Sequence, residues 1–190
     1  MKVEKMLDRI VSVLATKNVR VNFINNSNHT IEIGELRANQ ITINTNLRDN
    51  LSIIFTIAHL FGHYIQFRNY SKYKHLIETV EKPVPLNLSD DFRQMFWDYE
   101  KEAFGIGKSL MYESFPITLK IAQMYQIFMV TDFEHFWHYI TTGKVEGIDE
   151  FNKRLQKNYS SDKKVLEMIE PIDISNISST EIACAYVSVV

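Results

Sequence analysis

The stretch from Leu51 to Phe67 constrains this chain more than any other: it is almost wholly apolar and longer than a strand, so it reads as a helix buried on most sides. Inside it, His59 and His63 stand four residues apart. That spacing leaves them about 40° from one another around a helix of 3.6 residues per turn, so both imidazoles project from one face and can reach a single ion. Two histidines at helical spacing also occur as hydrogen-bonded core residues, so a metal reading needs a further donor from another element, with water in the fourth position. The residue after the first histidine is Leu60, which cannot take a proton.

Asn46 or Asp49 can cap this helix. Ahead of it, Val3, Met6, Leu7, Ile10, Val11 and Leu14 predict an amphipathic helix over 3–16. The period then changes to two. Val19, Val21 and Phe23, then Ile31 and Ile33, then Ile41 and Ile43 alternate with polar residues, and Gly34 to Asn39 punctuates the last gap. Residues from Asn69 to Asp91 read as a loop, with at most a helical turn around His75 to Val80. Ser89 or Asp90 starts a long helix to about Tyr112, Pro116 opens another to about 129, and Asp132 caps a further one ended by Gly143. A short helix follows Gly147, and Ala183 to Val190 can form a terminal strand. The expected fold is α+β: a small antiparallel or mixed three-stranded sheet packed on the histidine helix, followed by a mainly helical C-terminal half. Residues 1–145 form the principal domain, and 146–190 a C-terminal extension.

Twenty-one basic against 23 acidic residues give no global field for nucleic acid or anionic lipid. The single cysteine, Cys184, excludes an intrachain disulfide framework and a thiolate zinc cluster, which suits a reducing cytoplasm. No apolar run approaches the roughly 20 residues of a membrane span, and the N-terminus lacks the core of a signal peptide.

The third donor is sought on the helix carrying Tyr99-Glu100-Lys101-Glu102-Ala103. Glu100 and Glu102 point about 200° apart, so one of them faces the histidines. The apolar flank of Ala103, Ile106 and Leu110 favours Glu102, leaving Glu100 solvated or outside the ligand set. The run Ile41-Thr42-Ile43-Asn44-Thr45-Asn46, then Phe55-Thr56-Ile57-Ala58-His59 and Gly62-His63-Tyr64, and then Glu100 to Leu110, resembles the strand, active helix and third-ligand helix of ImmA/IrrE-type zinc metallopeptidases, over roughly residues 1–115. The resemblance implies a zincin-like fold, zinc as cofactor, His59, His63 and Glu102 as ligands, and close helix packing at Gly62.

The family's general-base glutamate falls on Leu60, which implies an impaired catalyst, since a general base contributes about 10²–10⁴ in rate. Restoring it by Leu60→Glu should raise activity if the site is otherwise intact. The resemblance further implies a bacterial or phage setting and a protein or peptide partner such as a helix-turn-helix regulator, with an extended peptide added along an edge strand near Ile41 to Asn44. Two alternatives stay open. One is an active zinc endopeptidase using an unconventional base such as Glu100; the other is a metal-free interaction module in which the histidines are core residues.

Overall fold

The computed structural model describes residues 1–25, 34–46, 49–144, 146–160, 171–172 and 186–189. The opening helix α1 (Val3–Thr16) buries Met6, Ile10 and Leu14, one face at four-residue spacing. Strand β1 (Arg20–Ile24) follows. A hairpin of β2 (Gly34–Arg37) and β3 (Gln40–Asn44) then turns through Ala38, whose φ of 50° is left-handed. The sheet is mixed: β3 pairs parallel with β1 and antiparallel with β2, and β4 (Tyr186–Val189) adds antiparallel to the far side of β2, giving the order β1-β3-β2-β4.

Two strand expectations change. Gly34 to Arg37, read as a gap, is β2, because Gly34 and Leu36 face inward while Glu35 and Arg37 face out; Ile31 and Ile33 lie outside the described residues. The Ile41–Asn44 segment is also no edge. It is paired on both sides, so its backbone groups are taken and no peptide can add there.

Helix α2 (Asn50–Phe67) starts at Asp49, whose carboxylate accepts from the Leu51 and Ser52 amides. Its apolar character is nearly circumferential, and it is buried from Ser52 to Tyr64 between the sheet and the later helices. The expected loop holds an 11-residue helix instead, α3 (Tyr70–Val80). Tyr73, Leu76, Ile77 and Val80 give it an apolar stripe, and the prolines at 83 and 85 come too late to break it. Helix α4 (Asp90–Ser114) begins at Ser89, whose side chain caps Phe92.

The two helices expected over 116–141 are one, α5 (Leu119–Thr142), capped by Thr118 and ended by Gly143 at φ 68°. Asp132 therefore caps nothing; it is buried in mid-helix, at a place explained by the site below. Finally, α6 (Ile148–Ser160) lays Phe151 and Leu155 into the same core as α1, α2 and the sheet. A second cluster, with Phe96 among Tyr99, Phe133 and Ile140, seals α3, α4 and α5 together. Among the described residues no helix is long and apolar enough to cross a membrane.

Candidate metal centre

Backbone contact between α2 and α4 sets the geometry. Ala58 and Gly62 on α2 lie against Ala103 and Gly107 on α4; a Cβ on Gly62 would run into the Ala103 carbonyl, and one on Gly107 into the Ala58 carbonyl. Small residues four apart on both helices let the axes approach this closely. The close packing expected at Gly62 is present. His59 and His63, one position beyond each small residue of α2, are thereby held against α4.

The carboxylate they meet is Glu100. Its Oε2 lies 2.9 Å from His59 Nε2 and 3.5 Å from His63 Nε2, and all three residues are buried. One donor atom from each falls within 4.8 Å of the others, so the three lie close enough together to bind a metal ion. Glu102, the ligand expected from sequence, points elsewhere: it accepts from Gln66 Nε2 at 3.0 Å and pairs with Lys72 at 3.0 Å on the surface side of α4. The register of the helix contact explains the correction. Glu100 is seven residues from Gly107, about 20° away around the helix, whereas Glu102 is about 140° away. Gly107 was the signal that could have chosen between them.

Each histidine is oriented from behind. Gln66 donates its amide to the Tyr99 carbonyl at 2.8 Å and to Glu102, which turns its Oε1 toward His63 Nδ1 at 2.9 Å. An amide oxygen only accepts, so Nδ1 carries a hydrogen and Nε2 is the nitrogen turned toward Glu100. The Tyr99 hydroxyl lies 3.1 Å from the same Nδ1. His59 Nδ1 stands 3.2 Å from Asp132 Oδ2, at ion-pair distance but off hydrogen-bond alignment, and its ring stacks on Phe104 at 3.9 Å. Asp132 was missed in the sequence because a lone acid in mid-helix reads as a cap.

Lone pairs on two imidazoles and a carboxylate repel unless something cationic lies among them, either protons or a metal ion. Without metal, protons serve. Burial opposes a charge on His59, but the carboxylates of Asp132 and Glu100 outweigh it and raise its pKa from 6.5 to about 9. Burial opposes the Glu100 charge too; His63 first, with His59, outweighs it and lowers the carboxyl from 4.5 to about 2. Burial, then the Glu100 charge, pushes the Tyr99 phenol up.

Chelated protein should therefore be most stable between about pH 4.5 and 6.5. The raised His59 contributes fully below its unfolded pKa and loses that contribution as pH rises toward 9; the lowered Glu100 loses its own as pH falls from 4.5 toward 2. The two share one ion pair, so each flank is expected to fall by on the order of 2 kcal/mol, not their sum. Urea midpoints across pH would check this, and a flat profile from 4.5 to 9 would contradict it.

The donor set also fits a metal. Tetrahedral ligands at about 2.0–2.1 Å stand roughly 3.3 Å from one another, and the contacts at 2.9 and 3.5 Å bracket that value. A carboxylate or amide behind each ligating imidazole is the usual companion of such sites. Leu60 lies elsewhere, fully buried with its Cδ1 close over Gly34 of β2, on the sheet side of α2. Comparison with protein-family models, with characterised proteins and with solved structures returned no match.

Proposed function

We propose that this chain is a zincin-like, metal-holding protein that acts by binding a partner rather than by cleaving one. The observation that carries the reading is the convergence of His59 Nε2, His63 Nε2 and Glu100 Oε2, with Gln66 and Tyr99 behind the His63 ring and the Asp132 carboxylate 3.2 Å behind His59. His59, His63 and Glu100 would hold the ion, and zinc suits two imidazoles and a carboxylate. Bound there, it would supply Lewis acidity and a cross-link between α2 and α4.

Hydrolysis needs more than the ion. Leu60 lies in the core beside Gly34 and cannot relay a proton, and Glu100 stands at a ligand position, so it is not free to act as the unconventional base. Asp132 approaches His59 from the Nδ1 side, away from the other donors. All three donors are buried, which restricts the access of a scissile bond to the ion. The likeness of Phe55-Thr56-Ile57-Ala58-His59 and Gly62-His63-Tyr64 to the ImmA/IrrE-type helix supports the zincin-like reading, and with it a regulatory protein partner.

The test is a peptide-library cleavage assay on zinc-loaded protein, with a thermal-shift titration alongside. No chelator-sensitive cleavage is expected. Zinc at a thousand times its Kd should add about 4 kcal/mol of stability. Chelator-sensitive cleavage would overturn the non-hydrolytic reading, and no thermal response to any divalent ion would overturn the metal.

A further inference from the structure

A groove of about 610 Å³ runs between α3 and α4, next to the metal centre but outside it. Tyr99 is the partition: it lines the groove, and its hydroxyl meets His63. The charges lining the groove are unbalanced. Asp91, Asp98 and Glu102 come from α4, against Lys72 and the exposed His75 from α3. Lys72 is spent on Glu102, at 3.0 Å, and Asp98 accepts from the uncharged amide of Gln94 at 3.0 Å, so Asp91 and Asp98 face the groove with no lysine or arginine of the lining to neutralise them.

Their spacing specifies a ligand. Asp91 and Asp98 are seven residues apart, two turns, or about 10 Å along one face of α4. Between them on the same face is Met95, which also lines the groove and is 41% exposed, an adaptable apolar surface. Acid, methionine, acid at positions i, i+4 and i+7 is the complement of a helix carrying basic residues at i and i+7 with an apolar residue between. A trough between two helices is a shape that seats the side-chain row of a third.

We propose that the α3–α4 groove docks a basic amphipathic helix of a partner protein, with Asp91 and Asp98 each taking an arginine or lysine and Met95 the apolar residue between them. This deepens the reading that the chain acts by binding, since it names the partner's chemistry.

The probe is a fluorescein-labelled synthetic helical peptide with arginines seven residues apart and leucine between them, titrated by anisotropy into zinc-loaded and into chelated protein. Asp91→Asn/Asp98→Asn should weaken binding at least tenfold, and a peptide of the same composition with its arginines four apart should bind comparably poorly. Asp149→Asn/Glu150→Gln removes the same charge from the exposed start of α6 and should leave the affinity within twofold. Circular dichroism confirms that both double variants fold. No binding by the wild type, or equal weakening by the α4 and α6 variants, would overturn the proposal. Because binding is read in both metal states, a failed groove and a failed metal site give different results.

Discussion

Gly62→Ala should both destabilise the protein and abolish zinc binding. A Cβ at residue 62 would run into the Ala103 carbonyl, and the obstacle is helix backbone, which cannot swing aside as a side chain can. The helices must separate. Overpacking of this kind costs about 3 kcal/mol, or roughly 6–12 °C in melting temperature for a chain of this size. Glu100 reaches the histidines across that contact, so a displacement of the order of 1 Å takes its Oε2 out of range of at least one imidazole. Thermal unfolding and zinc titration on the same sample check both effects; retained zinc affinity would mean that the contact does not set the site.

The second large effect is Leu60→Glu, which on sequence alone looks like restoration of a missing base. The structure reverses that expectation. Leu60 is fully buried over Gly34, with Ile43 and Thr56 crowding the same space. A glutamate there either ionises in the core without a counter-charge or takes up a proton and leaves a polar group dry. Burying an uncompensated charge costs about 3–5 kcal/mol. Urea unfolding should show a loss of that size, and zinc-loaded variant should cleave nothing. A stable variant with new, chelator-sensitive activity would show that residue 60 can reach the face of α2 that carries His59 and His63.

The parts of the fold legible in the sequence were those written in periodicity. The Met6-Ile10-Leu14 stripe, the buried run ending at Phe67, and the caps at Asp49 and Ser89 each depend on residues close together in the chain, and each stands where it was expected. Other features depended on tertiary partners. Asp132 resembles an N-cap until the fold brings His59 beside it, and β2 lacked a branched apolar pair because Gly34 leaves room for Leu60 and Thr56. The Tyr73-Leu76-Val80 stripe was hidden by the prolines that follow it.

The histidine pair was legible from its spacing, but its carboxylate was not. The apolar residues at 103, 106 and 110 fall within about 60° of one another on α4, and Glu100 and Glu102 flank that stripe at roughly equal angles, so it did not show which part of the helix meets α2. The glycines show that part, and they select Glu100.

The measurement that bears most directly on this account is the zinc content, by elemental mass spectrometry, of protein purified without chelator or histidine tag, for wild type, Glu100→Ala and Glu102→Ala. The account predicts about one zinc per chain in wild type and in Glu102→Ala, and a large loss in Glu100→Ala. No zinc in wild type even after supplementation, or loss in Glu102→Ala with retention in Glu100→Ala, would contradict it.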